Sequence, residues 1–393
     1  MTTSAKLRAP LELDSGAFRT ALSGSGADEI PAIRAVADLF ENALCARASD
    51  IHLEPDGAGG RVRQRVDGVL REVDRLDASA FLPVVSRIKL VAGMDIADKR
   101  LPQDGRYRAA VGGRTVDARV SSMPTVEGEK LVIRILDAGT RVPALEELGI
   151  PPGMCAHYRR LATAPVGLVL ACGPTGCGKT TTLYASLAAR NATTEHLCSV
   201  EDPVEMRLPG VVQVQVNVRA GVTFASAFRA FLRQDPDAIM VGEIRDPETA
   251  AVAASAALCG RMVFATLHSG DAIEAIERLV ELGVPPARVA GAVSCVIAQR
   301  LVRRLCGYCR QGSTPSACAH CAGTGYYGRT GAFELLELAA AMREAIQAGH
   351  GREALRRVAR DIGYVPMREA VDPYELSTSQ DELERVLGGA SRT

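Results

Sequence analysis

GPTGCGKT, Gly173 to Thr180, sets the frame for the sequence on either side of it. It matches G-x-x-x-x-G-K-[ST]. An apolar run, VGLVLAC (166–172), precedes it, and a helical pattern, KTTTLYASLAA (179–189), takes it over. Strand, glycine-rich turn and helix in that order form a phosphate cradle. The glycines let the backbone curl until several N–H groups converge on phosphate oxygens at a helix N-terminus. The predicted nucleotide-binding set is Gly173, Pro174, Thr175, Gly176, Cys177, Gly178, Lys179, Thr180 and Thr181. Lys179 is expected to reach the β- and γ-phosphates of ATP, and Thr180 to offer its hydroxyl to Mg²⁺.

The surrounding pattern extends this unit. Short buried runs, HLCSV (196–200), AIMVG (238–242) and MVFATL (262–267), alternate with helical stretches. That alternation predicts a mainly parallel sheet with crossover helices. The ends of such strands line the same edge as the phosphate loop. VEDPVE (200–205) leaves one strand end, AIMVGEIRD (238–246) another and ATLHSGDA (265–272) a third. Glu243 is assigned to the Mg²⁺ shell, Glu205 to the attacking water with Asp202 in support, and His268 to the γ-phosphate or the water. VVQVQVNV (211–218) sets Val212, Val214, Val216 and Val218 against Gln213, Gln215 and Asn217, the alternation of a half-exposed strand. AAVAASAALC (250–259) reads as a buried helix.

Upstream the grammar differs. Residues 1–29 are rich in Ser, Gly and Ala, lack periodicity and read as a flexible tail. PAIRAVADLFENALCARA (31–48) places Ile33, Val36, Leu39, Phe40 and Leu44 on one helical face. Two hairpins follow, turning at Asp67-Gly68 and at Gly112-Gly113, with a helix between them and the strand EKLVIRIL (129–136) after them. A small α+β domain is therefore expected over 30–138, a Pro- and Gly-punctuated linker over 139–150, and the nucleotide domain over 151–393. The latter includes a cysteine knuckle at 304–323 and C-terminal helices over 334–393.

The totals bound the function. The 46 basic and 46 acidic residues cancel, and aromatics make up only 4%, so neither a global field nor a stacking platform for nucleic acid is present. No apolar run reaches the roughly 18 residues of a membrane span. The first residues lack the apolar middle of a secretory signal. A cytosolic protein with reduced thiols is expected. Cys306, Cys309, Cys318 and Cys321 form two C-x2-C pairs, the spacing of a closed, structural Zn²⁺ site with four thiolates. A redox pair would instead sit at a helix start in a thioredoxin-like unit, which the pattern does not offer. The remaining cysteines sit mostly in apolar surroundings and read as small core residues.

Several segments together resemble one family, the secretion ATPases of type II secretion and type IV pilus assembly systems (the general secretion pathway protein E group). They are GPTGCGKTTTLY, SVEDPVEMRLPGVVQVQVN, LRQDPDAIMVGEIRDPETA, ATLHSGDA, AQRLVRRLC and GRTGAFELLE, and, further upstream, ASDIHLEP, RVDGVL, PQDGR and DARVSSMPTVEGEKLVIRIL. The resemblance spans most of the chain. It implies a PAS-like α+β domain before a RecA-like P-loop core. It further implies a homo-hexameric ring with ATP between the two domains, at the cytoplasmic face of the inner membrane and peripheral to it. The partner would be a secretion or pilus platform protein, with no direct nucleic-acid contact. Arg119 and Arg134 are implied to clamp phosphate charge during hydrolysis, and Arg229, Arg233, Arg245 and Arg329 to contact nucleotide. The tetracysteine element is implied to accompany assembly rather than retraction motors.

The sequence departs from the family in four places. The resemblance implies an extra N-terminal domain that engages a membrane partner, and only a short tail is expected in its place here. Cys177 stands where Ser is common, Gly270 where Asn is frequent, and the cysteine pairs are closer than usual. The expectation is a Mg²⁺-dependent ATPase driving pseudopilus assembly for type II secretion. The alternatives are a pilus-assembly or DNA-uptake motor of the same family, a nucleic-acid motor, and a non-hydrolysing nucleotide-binding scaffold.

Overall fold

The computed structural model describes residues 31–111, 114–137, 141–190, 192–309, 318–372 and 375–388. The predicted tail and the Gly112-Gly113 turn lie outside the described residues. The chain divides into two compact units, Met1–Arg141 and Val142–Thr393, each with its own core.

The first unit is a six-stranded antiparallel sheet in the order β3-β2-β1-β6-β5-β4. Its strands are β1 (Ala48–Asp56), β2 (Gly59–Val66), β3 (Val69–Asp77), β4 (Gln103–Val111), β5 (Arg114–Thr125) and β6 (Gly128–Asp137). Alternate residues, Val116, Ala118 and Val120 on β5 and Leu131 and Ile133 on β6, enter a core shared with Val36, Phe40, Phe81 and Ile88 of two helices, Pro31–Cys45 and Ala78–Val91. Asp67 and Gly68 turn β2 into β3 with φ of 49° and 84°, the left-handed pair that a two-residue hairpin turn requires. Strand β1, central in the sheet, does not announce itself in the sequence because Asp50 and Glu54 break its apolar pattern. Both carboxylates are buried. Glu54 is met by Arg61 at 2.9 Å, Arg63 at 2.7 Å and Lys130 at 2.8 Å. Burial pushes its pKa up, but the bonds from Arg63 and Lys130 outweigh burial and hold it at about 2.

The second unit is a seven-stranded sheet in the order β13-β12-β7-β11-β10-β8-β9. The strands are β7 (Gly167–Cys172), β8 (Leu197–Glu201), β9 (Val211–Gln215), β10 (Ala238–Val241), β11 (Met262–Leu267), β12 (Val293–Leu305) and β13 (Tyr326–Glu337). All neighbours pair parallel except β13, which runs antiparallel along β12. Every residue of β7, β8, β10 and β11 is buried, as expected when helices cover both faces of a parallel sheet. Their side chains alternate between two cores. Leu168, Leu170, Ile239, Val241, Val263 and Ala265 face the helices Pro247–Leu258 and Ala272–Glu281. Val169, Ala171, Met240 and Phe264 face the helices Lys179–Ala188 and Pro152–Ala162.

Two boundaries differ from the sequence reading. The helical C-terminal segment expected from Glu334 begins only at Ala340, because β13 runs on to Glu337. Glu334 disguises the strand. It is 3% exposed, and its carboxyl group accepts the N–H groups of Ala272 at 2.9 Å and Met367 at 2.7 Å, so a polar group is satisfied within a buried run even though burial raises its pKa. The stretch read as a linker, 139–150, joins the second unit from Val142 onward. Leu145 and Ile150 are buried there, and the Gly331 N–H donates to the Leu148 carbonyl at 3.1 Å. VVQVQVNV keeps strand pairing only to Gln215, with Val212 exposed and Gln213 turned toward Glu201. Cys155, Cys172, Cys177, Cys198 and Cys295 are buried, whereas Cys45 and Cys259 are exposed. Among the described residues no helix is long and apolar enough to cross a membrane.

Candidate nucleotide site and cysteine cluster

The loop Gly173–Thr180 leaves the carboxyl end of the inner strand β7 and runs into the helix Lys179–Ala188. Gly173, Gly176 and Gly178 have φ of 144°, 77° and 92°, a region that L-residues with a Cβ avoid. A Cβ on Gly173 would lie 2.5 Å from the Gln299 carbonyl oxygen and 2.7 Å from Cys177 Sγ. Pro174, Thr175 and Gly176 form the exposed crest, while Thr180 and Thr181 are half-buried in the first helical turn. Cys177 points inward at 4% exposure, and burial pushes its thiol pKa up. Its side chain is therefore loop packing rather than a phosphate contact. Lys179 is buried, its Nζ donating to the carbonyls of Gly173 at 2.7 Å and Pro174 at 3.0 Å. Burial lowers its pKa and the neighbouring Glu243 charge opposes that.

Glu243 stands two residues beyond Val241, the last residue of β10, and it is 9% exposed. Arg245 Nε is ion-paired with its Oε2, and His268 Nε2 lies 3.7 Å from the same oxygen. The strand end is pinned: Gly242 N–H donates to Val200 O at 2.8 Å, and Thr266 Oγ1 to Gly242 O at 2.6 Å. Burial first, then the charge of Lys179, lowers the pKa of His268, so its imidazole is neutral at neutral pH. Lys179, Thr180, Glu243, Arg245 and His268 thus share the carboxyl edge of the sheet, where an open parallel sheet binds its ligands.

Asp202 and Glu205 lie on the adjacent loop after β8, both exposed. The Glu205 N–H donates to the Tyr184 hydroxyl at 3.3 Å. Arg229 is engaged with Glu248 at 2.6 Å, and Arg233 donates to the Arg229 carbonyl at 3.0 Å. Arg329 is exposed on β13 opposite Arg303, on the strand pair that runs on past the carboxyl edge of the sheet toward the cysteines.

In the first unit, Arg106, Arg119 and Arg134 stand abreast on β4, β5 and β6, with Asp50 of β1 opposite Arg134. They line an open groove of about 380 Å³. Arg134 Nε donates to Asp50 Oδ1 at 3.2 Å. Like charges directly opposite across strands are unfavourable, so the row has the character of an anion contact.

Two residues of the loop edge escape sequence reasoning. Gln299 of β12 donates from Nε2 to the Cys177 carbonyl at 2.6 Å and accepts from Thr182 Oγ1 at 2.7 Å. Arg300 donates from Nη2 to the Gly270 carbonyl at 2.7 Å, which ties the loop after β11 to β12. The only signal was their place in AQRLVRRLC, with no role attached.

The thiol sulfurs of Cys306, Cys309, Cys318 and Cys321 all lie within 4.8 Å of one another. Cys306 and Cys318 are 4.0 Å apart, and Cys309 and Cys321 3.5 Å. Four thiolates at about 2.3 Å from one tetrahedral Zn²⁺ stand about 3.8 Å apart, so the set fits that ion. Residues 310–317 of the predicted knuckle lie outside the described residues. Arg303, beside the cluster, is committed to Glu382 at 2.7 Å and stacks over Tyr326 at 4.0 Å.

A family model described as type II/IV secretion system protein matches residues 25–382. The type II secretion system protein HxcR of Pseudomonas aeruginosa is 48% identical over 364 residues, which cover 92% of this chain and 77% of HxcR. The type IV pilus assembly ATPase PilB of Thermus thermophilus is 43% identical over 365 residues, covering 87% of this chain and 41% of PilB. Among solved structures, the ATPase DotB of Legionella pneumophila superposes with a TM-score of 0.68 at 19% identity, over 94% of this chain and 98% of DotB. The likeness to DotB is one of fold.

Proposed function

The chain belongs to the family of type II/IV secretion system proteins and is an ATPase, and from that premise we propose that it hydrolyses ATP at the loop Gly173–Thr180 to power pseudopilus assembly for type II protein secretion. The observation that carries this reading is the convergence of Lys179, Glu243 and His268 on one sheet edge. Lys179 exchanges its two loop carbonyls for β- and γ-phosphate oxygens. Thr180 and Glu243 hold Mg²⁺, which when bound neutralises charge on those oxygens. Neutral His268 contacts the γ-phosphate or the water, which Glu205 orients and deprotonates with Asp202 in support. Arg119 and Arg134 serve as guanidinium clamps for the charge that spreads over the phosphoryl oxygens. Arg229, Arg233, Arg245 and Arg329 are the further nucleotide contacts, with Arg229 and Arg245 released from their carboxylate partners. The four thiolates hold a structural Zn²⁺.

The working form is a homo-hexamer at the cytoplasmic face of the inner membrane, held there by a platform protein. Balanced charge and few aromatics count against a nucleic-acid track, and ATPase activity is expected to ignore added DNA. Similarity to a pilus assembly ATPase over most of this chain favours a second reading, pilus assembly or DNA uptake by the same mechanism. Affinity capture from detergent-solubilised inner membranes separates them. A secretion-type platform protein is expected, and a pilus-type one replaces the first reading with the second.

A further inference from the structure

Glu205 has an exposed side chain on the loop after β8, yet an activating carboxylate must be held in one place to orient a water. What holds it is a buried polar cluster under the loop. Tyr184 lies in the helix that begins at Lys179, a little over one turn along it. The side chain is fully buried, and its hydroxyl donates to Glu201, which is 2% exposed and closes β8. The same hydroxyl accepts the backbone N–H of Glu205 at 3.3 Å and of Met206 at 3.5 Å. Glu201 also accepts from Ser199 Oγ at 2.5 Å and from Gln213 Nε2 at 3.0 Å. Gln213 then grips the loop from β9: its Nε2 donates to the Met206 carbonyl at 3.0 Å, and its Oε1 accepts the Leu208 N–H at 2.7 Å.

We infer that Tyr184 and Gln213 are positioning residues for ATP hydrolysis, forming a clasp that links the phosphate-loop helix to the backbone of Glu205. Three physical points support this. The tyrosine hydroxyl fills both of its roles, donor to a carboxylate and acceptor from two amides, so the loop backbone is registered directly against the helix that carries Lys179. Glu201 sits where it can neither reach solvent nor lose its donors cheaply, which makes the cluster rigid rather than adaptable. The polar face of VVQVQVNV, read from sequence as a solvated strand face, is spent on this loop. Gln213 faces Glu201, and Gln215 Oε1 accepts the Val204 N–H at 3.4 Å. The inference rests on the assignment of Glu205 to the attacking water.

The test is steady-state phosphate release and ADP affinity of the full chain, compared across Tyr184→Phe, Glu205→Gln and their combination. Tyr184→Phe keeps the ring, and Glu201 keeps Ser199 and Gln213, so the fold is expected to persist. The expected result is a kcat lowered about 10- to 100-fold with ADP affinity within about twofold of wild type, and a double variant no slower than Glu205→Gln alone. Gln213→Leu, on a half-buried side chain, is expected to give the same split and decides the matter should Tyr184→Phe fail to fold. Normal turnover in the clasp variants overturns the inference and leaves Glu205 standing. Losses that multiply in the double variant also overturn it. Normal turnover in Glu205→Gln removes the assignment of Glu205 and the inference with it.

Discussion

Gln299→Leu is the sharpest test of how the phosphate loop is supported. The Gln299 side chain is 1% exposed and bridges the loop and its helix through bonds of 2.6 Å to the Cys177 carbonyl and 2.7 Å from the Thr182 hydroxyl. Leucine has nearly the same volume, so little cavity opens, but both bonds vanish and two buried polar groups lose this partner. Each orphaned group costs about 1–3 kcal/mol. With some return from burying an apolar chain, a net destabilisation of about 2–4 kcal/mol is expected. About 1–2 kcal/mol of that falls on the loop conformation that receives phosphate, which lowers ADP affinity about five- to thirty-fold. Fluorescent ADP titration and thermal melting of the full chain read the two effects separately. Thr182→Val removes one arm of the same bridge, so the double variant is expected to lose less than the sum of the singles. Nucleotide affinity within twofold of wild type and an unchanged melt, or strict additivity in the double variant, refutes the bridge.

Two further outcomes follow from the second unit. The full chain purified without chelator is expected to carry one Zn²⁺ per chain by elemental analysis. Cys306→Ser is expected to lose the ion and lower the melting temperature, since a structural zinc site contributes folding free energy directly; metal-free wild type with an unchanged melt contradicts this. Glu382, in the helix Gln380–Leu387, is buried, which pushes its pKa up, but the bonds from Arg385 and Arg303 outweigh burial and hold it at about 2, against 4.5 unperturbed. A depressed carboxylate contributes stability that is fully present above about pH 4.5 and is lost as pH falls through about 2. Glu382→Gln is therefore expected to destabilise at neutral pH and to flatten acid sensitivity between those values in urea-melt series; parallel wild-type and variant curves contradict it.

How much was legible in the sequence follows from the range of the interactions. The phosphate loop and the strands β7, β8, β10 and β11 were legible because each is a continuous local signal: buried apolar runs, glycines at φ > 0 and a lysine at fixed spacing. The placement of Glu243 and His268 on the carboxyl edge was legible because a strand end in a parallel sheet dictates its edge. Strand β1 and the end of β13 were not, because Asp50, Glu54 and Glu334 are buried polar groups whose partners, Arg134, Lys130 and the N–H groups of Ala272 and Met367, lie far along the chain. Tyr184, Gln213 and Gln299 were illegible for the same reason. A tyrosine in a helix, or a glutamine in a strand, shows its role only once β8, β9 and β12 are laid beside the loop. The partnering of Arg229 with Glu248 was likewise set by tertiary packing.

If ATP is hydrolysed at the loop Gly173–Thr180, phosphate release from ATP by wild type and Lys179→Ala must show it. Wild type is expected to turn over with Mg²⁺ and to stop when the ion is chelated. Lys179→Ala is expected to retain the wild-type circular dichroism spectrum and release no phosphate above background. Near-normal phosphate release by the folded Lys179→Ala protein would place hydrolysis elsewhere.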